Sequence, residues 1–371
     1  MGGIKKTIAL LPGDGIGPEV INAATRVLHD CAAHFGHQFD LIEFPIGGIA
    51  IDRCGTPLPE ETLAGCRSAD AVLLGAVGGG KWDSLPVGKR PESGLLALRQ
   101  QLGLFINLRP TRLRPALRGI SPLRPERARK FEFEIVRELA GGIYFGEHRV
   151  SGTNGSETAS DLETYSSAEI ERIARYAFLR AGKRHKRLTS VDKANVLASS
   201  GLWRRTVTRI AGDYPDVALE HMYVDNAAMQ LVLRPGDFDV ILTSNMFGDI
   251  LSDEAAALVG SIGLVPSMSL GDGPALYEPI HGSAPSIAGK DLACPIGAIS
   301  CISMMMKESF ELLDEPAWVD AAVDRVVDRG YRTTDIAEHD SKIIGCSAMT
   351  EMIRTEMGES LLHSERYGWG V

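Results

Sequence analysis

The chain of 371 residues is 44% apolar and 23% charged, with 40 glycines, the make-up of a soluble globular protein of roughly two domains. Its 39 basic against 48 acidic residues give a net charge of −9, so nucleic acid and anionic membrane have no electrostatic support as partners. Six cysteines (Cys31, Cys54, Cys66, Cys294, Cys301, Cys346) form no Cys-x-x-Cys pair, which predicts reduced, mostly buried thiols and neither a disulfide framework nor a zinc site. The run from Met1 to Pro12 is too short for a signal peptide, and no window reaches the apolar length that spans a bilayer. A cytoplasmic protein is expected; an organellar protein stripped of its transit peptide would read the same way.

In chain order, Ile8 to Leu11 reads as a buried strand running into Pro12-Gly13-Asp14-Gly15-Ile16-Gly17-Pro18. That spacing is G-x-G-x-G, not the G-x-G-x-x-G of a dinucleotide-binding Rossmann turn, so a Rossmann fold is not indicated. Pro18 suits the first turn of a helix, and Val20, Ile21, Ala24, Val27, Leu28 and Cys31 recur at helical spacing. Ala71 to Leu74 predicts a second buried strand, feeding the glycine-rich Gly75 to Gly80. Strand, glycine loop and helix in alternation predict an α/β architecture with a largely parallel sheet, whose ligands gather beyond the strands' carboxyl ends.

A helix from Pro91 would place Glu92, Leu95, Leu96 and Arg99 on one face. Within that stripe Arg99 either has a partner or snorkels past the leucines to water. Arg109 lies beyond the helix, and Arg137 ends an alternating strand from Phe131 to Val136. Three arginines near element ends can grip carboxylates through their planar forks. Residues 151–164, rich in Ser, Thr and Gly, read as a flexible loop. Ser166 and Glu169 suggest a capping box for a helix with the stripe Ile170, Ile173, Ala174, Ala177, Phe178 and Ala181. A strand over Leu188 to Val191 ends at Asp192-Lys193, and Asp225 opens a later apolar helix. Ile299, Ile302, Ser303 and Met306 predict a core-facing stripe.

The sharpest chemical signal is the stretch Asn245 to Glu254. It follows the apolar strand Phe238 to Thr243, and Gly248 is expected to open a helix with Asp249 and Asp253 at i and i+4 on one face. Two carboxylates so placed repel unless a cation lies between them, and a hard ion, Mg²⁺ or Mn²⁺, takes such oxygens. Solvated acids on an exposed face are the structural alternative.

The runs Leu11 to Val20, Val136 to Gly146, Ser190 to Val196, Tyr223 to Ala227, Phe247 to Glu254 and His281 to Pro285 resemble, in this order, the β-decarboxylating dehydrogenases of the isocitrate/isopropylmalate family. The likeness extends from Ile4 to about Ile336. It implies a two-domain fold that is not Rossmann: residues 1–104 with 260–371 on the cofactor side, and 105–259 on the other, around an interdomain active-site cleft. Family members are homodimers, and residues 151–164 then become an arm that pairs between subunits. Leu95 and Leu96 resemble the isopropylmalate branch, where they would line the pocket for a branched alkyl group. The function implied is NAD-dependent oxidative decarboxylation of 3-isopropylmalate to 4-methyl-2-oxopentanoate, in leucine biosynthesis.

By the same resemblance, Asp249 and Asp253 would hold Mg²⁺ or Mn²⁺ together with Asp225 of the partner subunit, which also touches substrate. Lys193 would be the general base, a role that requires burial or neighbouring cations to lower its pKa. Tyr144 would return a proton to C3, and Arg99, Arg109 and Arg137 would clamp the carboxylates. Gly78, Gly79 and Glu92 would approach the nicotinamide of NAD; His281, Gly282, Ser283, Ala284, Ser286 and Cys294 would receive its adenosine half. Two positions depart from the pattern. Ser286 stands where NAD-dependent members carry an aspartate that accepts the ribose hydroxyls, and Cys294 replaces an asparagine near the adenine. Loss of that carboxylate, with no basic residue gained, predicts weaker NAD affinity or relaxed NAD/NADP discrimination. Ala140 replaces a more usual threonine, with no consequence assigned. One alternative is the same chemistry on another 3-substituted malate. Another is a catalytically silent structural or regulatory paralogue, which would have no physical need to keep so costly a set of charges.

Overall fold

The computed structural model describes residues 3–153 and 155–367, with side chains through Glu359. The strands are β1 (Lys5–Gly13), β2 (Gln38–Glu43), β3 (Ala71–Ala76), β4 (Leu104–Arg112), β5 (Glu132–Glu138), β6 (His148–Ser151), β7 (Thr158–Asp161), β8 (Arg187–Asp192), β9 (Ala218–Tyr223), β10 (Val240–Thr243), β11 (Pro266–Gly271), β12 (Ala275–Pro279), β13 (Tyr331–Arg332) and β14 (Lys342–Ile343). The α-helices are α1 (Gly17–Phe35), α2 (Gly48–Cys54), α3 (Glu60–Ser68), α4 (Pro91–Gln101), α5 (Ser167–Gly182), α6 (Ala198–Ala211), α7 (Val224–Leu233), α8 (Asn245–Leu258), α9 (Ile296–Glu308), α10 (Asp314–Asp328) and α11 (Cys346–Tyr367).

Ten strands form one sheet in the order β2-β1-β3-β12-β11-β4-β5-β10-β8-β9. The predicted parallel sheet is present as two parallel blocks, β2-β1-β3-β12 and β5-β10-β8-β9. Antiparallel pairings through β11 and β4 join them. The register across that seam matters for chemistry. Glu278 pairs with Ser267, Ser269 with Asn107, and Asn107 with Arg137. Because successive side chains alternate faces, Glu278, Ser267, Ser269, Asn107, Arg109 and Arg137 share one face, while Pro110 and Glu134 belong to the other.

The amphipathic patterns fold as expected. The stripes of α1 and α5 are buried, and each large side chain among them contributes about 1.5–3 kcal/mol of transfer free energy. Ser166 caps α5 reciprocally: its Oγ accepts the Glu169 N–H at 3.3 Å, while Glu169 Oε2 accepts the Ser166 N–H at 2.7 Å. The strand expected over Phe131 to Val136 is β5, buried beyond Glu132, with α5 and α8 packed against it. Two expectations need correction. Residues 151–164 are not a structureless loop, because β6 and β7 form an antiparallel hairpin with exposed side chains throughout. Gly248 does not open a helix; α8 already begins at Asn245. All six cysteines are free, and only Cys54 is exposed. Among the described residues, no helix is long and apolar enough to cross a membrane.

Candidate active site

The polar face of the seam gathers the predicted arginines. Arg109 on β4 donates from Nε to Asn107 Oδ1 (2.8 Å) and from Nη1 to Ser252 Oγ (2.6 Å) and Asp253 (3.3 Å). Its Nη2 lies 3.5 Å from Asp249. Arg137 on β5 donates from Nε to Asn245 Oδ1 (2.9 Å) and from Nη1 to Asp249. The Tyr144 hydroxyl donates to the other oxygen of Asp249 at 3.0 Å. From α4, Arg99 ion-pairs Glu278 at 2.6 Å, which decides between the partnered and the snorkelling readings. Leu95 is half-buried one turn before it, and Leu96 is exposed.

Gly248 explains how α8 comes so close. A Cβ there would lie 2.7 Å from Arg137 Cβ and Cγ and 2.3 Å from Thr243 Oγ1. The glycine therefore serves close approach of helix to strand and not helix initiation. Sequence reading missed Glu278, Asn107, Ser252 and Asn245, all of which hold arginines. The period-two relation of Asn107 to Arg109 could have revealed one of them.

Burial pulls the Arg109 and Arg137 guanidinium groups below their ordinary range, Arg137 to about 10, and the mutual repulsion of the three arginines adds to it. Asp249 is pushed up by burial, but Arg137 and Arg109 outweigh that and hold its carboxyl below the usual carboxylate range. Asp253 is raised, chiefly by burial, with Arg109 opposing and Asp249 adding. Tyr144 is raised by burial and by the Asp249 charge, which keeps its proton in place.

Lys193 and Asp225 stand apart from this cluster. They pair with each other at 2.6 Å, and the Lys193 hydrogen bond lowers the Asp225 carboxyl. Among the described residues, no hydrogen bond or ion pair joins either to Asp249 or Asp253. Asp225, Asp249 and Asp253 do not form a set within metal-ligating reach in one chain; among the described residues, Glu19, Asp291 and Cys346 form such a set elsewhere.

On the cofactor side, buried Asp14 accepts the N–H groups of Gly48 (2.7 Å), Ile49 (2.8 Å) and Gly78 (2.9 Å), tying three loops together. Burial nevertheless outweighs those bonds and raises its carboxyl. Gly78 and Gly79 both take positive φ, and a Cβ on Gly78 would lie 2.6 Å from the Glu92 carboxylate. The Ser283 carbonyl accepts the Ile16 N–H at 2.8 Å, and Ala284 carries a positive φ of 39°. His281 is buried, with its Nδ1–H on the Gly282 carbonyl and its Nε2 without a partner, and space opens around Gly282. Ser286 is exposed, and Lys290 donates to its carbonyl at 2.8 Å. A basic group outside the two departing positions thus stands beside Ser286. Cys294 is buried against Gly263, and burial pushes its thiol up.

Residues 7–353 match the isocitrate/isopropylmalate dehydrogenase family. The chain belongs to that family. It is accordingly an oxidoreductase of the decarboxylating-dehydrogenase kind. It is 56% identical over 338 residues to 3-isopropylmalate dehydrogenase of Bacillus licheniformis, covering 90% of this chain and 91% of that one. It is 55% identical over 352 residues to 3-isopropylmalate dehydrogenase of Geobacillus kaustophilus, covering 94% of each. The crystal structure of isocitrate dehydrogenase from Methylococcus capsulatus superimposes with a TM-score of 0.83 at 34% identity, over 95% of this chain and 99% of that one. The two-domain α/β fold class expected from the resemblance is that of the family.

Proposed function

We propose that this enzyme converts 3-isopropylmalate to 4-methyl-2-oxopentanoate with NAD and Mg²⁺ or Mn²⁺, a step of leucine biosynthesis. The observation that carries the reading is the gathering of Arg99, Arg109 and Arg137 next to Leu95 and Leu96 on α4. Three arginines that repel one another suit a dianion, and the leucines suit an alkyl branch. The third carboxylate of isocitrate would be left beside the leucines, an unpaired charge costing several kcal/mol. The names of the two bacterial relatives point the same way.

Arg109 and Arg137 are fixed at Nε by Asn107 and Asn245, which sets their guanidinium planes; their Nη groups, held by Ser252, Asp249 and Asp253, would exchange partners with the substrate carboxylates. Lys193 takes the C2 hydroxyl proton as hydride leaves C2, CO₂ then departs from C3, and Tyr144 gives its proton to C3. The dinucleotide, when bound, accepts the hydride, and the cation supplies Lewis-acid stabilisation of oxygen charge. Asp249 and Asp253 offer the hard oxygens such a cation takes, and the buried His281 Nε2, without a partner, fits a polar ligand such as the adenosine half. Ser286 with Lys290 nearby favours relaxed discrimination between NAD and NADP.

The separation of Lys193 and Asp225 from Asp249 supports a site completed by a second copy of the chain, in which Asp225 of one joins Asp249 and Asp253 of the other. Exposed Met229, Val232 and Leu233 on α7, with Ile250 on α8, supply an apolar surface for a homodimer. The hairpin β6–β7 has too few strands to be stable alone, which favours pairing with its twin. The two halves, residues 1–104 with 260–371 and residues 105–259, then act as domains around the cleft. The test is reduction of NAD⁺ and NADP⁺ with Mn²⁺ and 3-isopropylmalate, against malate, isocitrate and tartrate. Highest kcat/KM on 3-isopropylmalate is expected; preference for another acid displaces the substrate assignment, and no turnover on any of the four favours a silent paralogue.

A further inference from the structure

A separate cavity of 320 Å³ lies on the reverse of the sheet from the arginine cluster. Strand alternation puts it there, since Pro110 of β4 and Glu134 of β5 line it while Arg109 and Arg137 face the other way. Its remaining walls come from β11, α5, α9 and α10, so helices packed on both blocks contribute, α9 against β12 and β3 and α5 against β10 and β8. Two hydroxyls on its wall, Ser300 and Ser303 of α9, are only 8% and 5% exposed and have no hydrogen-bond partner. Burying a hydroxyl unpaired is unfavourable, and two of them one helical turn apart mark a place for a guest with polar atoms.

The charges around the cavity are of both signs and unevenly distributed. At the α5 side, Arg180 donates to Glu134 (2.6 and 2.8 Å) and Glu308 (3.0 Å). Arg184 there binds Asp239 (2.9 Å), Glu134 (3.1 Å) and Glu132 (3.5 Å), so two guanidinium groups face four carboxylates. At the α10 side, Arg112 and Arg114 share Asp324. Asp320 lines the wall and Asp328 also faces Arg114, so three cations meet three carboxylates there, and Lys307 is the cation with no ion pair among the described residues. Leu264, Val265 and Met304 add an apolar wall.

We propose that this cavity binds a zwitterionic α-amino acid with an aliphatic side chain, acting as an effector. The ammonium group turns toward the carboxylate-rich α5 side. The carboxylate turns toward Arg114, Lys307 and the two serine hydroxyls, and the side chain lies on Leu264, Val265 and Met304. The volume sits at the lower end of small-molecule pockets, about 300–1,000 Å³, which suits a ligand of this size. Because α5 and β5 form one wall and α9, α10 and β11 another, occupancy biases how the two blocks sit relative to each other. None of this depends on which malate the front site accepts.

Isothermal titration of the purified protein with L-leucine tests it, alongside 4-methylpentanoate, which lacks the ammonium group, and 3-methylbutan-1-amine, which lacks the carboxylate. L-Leucine is expected to bind, and each analogue to bind at least about tenfold more weakly. Ser303→Leu, which fills the cavity, should abolish the signal. Lys307→Met, at an exposed position that does not endanger folding, should weaken leucine about fivefold and leave kcat and KM without leucine unchanged. No heat from leucine at millimolar concentration, equal binding of the deaminated analogue, or leucine affinity unaltered in both variants (binding at the front site) each overturns the proposal.

Discussion

Gly248→Ala is a substitution that helix propensity favours and the geometry forbids. Replacing glycine by alanine inside a helix gains about 0.5–1 kcal/mol. Here the new methyl would stand 2.3 Å from Thr243 Oγ1 and 2.7 Å from Arg137 Cβ and Cγ, against an ordinary carbon contact of about 3.5–4.0 Å. Thr243 can rotate, but Arg137 Cβ is fixed to the β5 backbone, so α8 must retreat by roughly 1 Å. Overpacking costs about 1–3 kcal/mol, so the net loss of stability is about 0–2.5 kcal/mol. Function suffers more, because Asp249 rides on α8 and Arg137 holds it. A misplacement of that size costs about 100-fold in kcat/KM, or about 2.7 kcal/mol. Steady-state kinetics with urea unfolding of the same preparation separate the two effects. A variant within about threefold of the parent kcat/KM would refute the close-approach reasoning.

Ser286→Asp should lower the apparent KM for NAD and raise that for NADP; identical coenzyme kinetics would remove the ribose argument. Asp249 titrates below its ordinary value of 3.8, so its stabilisation is full above that value and is lost as pH falls through the depressed one. The melting-temperature advantage of the parent over Asp249→Asn should therefore shrink on acidification below about pH 4, whereas a constant gap would contradict the Arg137 pairing. Glu134→Gln leaves Arg180 and Arg184 short of charge in a buried setting, and urea unfolding should show a loss of about 3 kcal/mol with unchanged m. Ser166→Ala should cost about 1 kcal/mol and leave kcat/KM untouched, since it removes only the cap of α5.

Local patterns were legible wherever one face of an element is buried. The stripes of α1 and α5, the Ser166 capping box and the pairing of Asp249 with Asp253 on one helix face all follow from residue spacing. What spacing does not reveal is the partner from a distant segment. Arg99 finds Glu278, 179 positions away, because α4 packs on β4 and β12 lies one strand beyond it across β11; Arg109 finds Ser252, 143 positions away, because α8 packs against β4 and β5. The partner of Glu134 is hidden for a related reason: its alternation with apolar residues does not show that it is enclosed and paired by α5. Lys290 beside Ser286 was missed because a turn, not a regular element, brings it back.

The central claim is that Lys193 and Asp225 of one chain act with Asp249 and Asp253 of another. Co-expression of Lys193→Ala with Asp253→Asn, each inactive alone, tests it most directly. If the site is shared, every mixed dimer carries one intact site, and a random mixture should recover about one quarter of wild-type activity. If each chain builds its own site, both halves of the mixed dimer are dead, and activity that stays at the level of the separate variants would contradict the account.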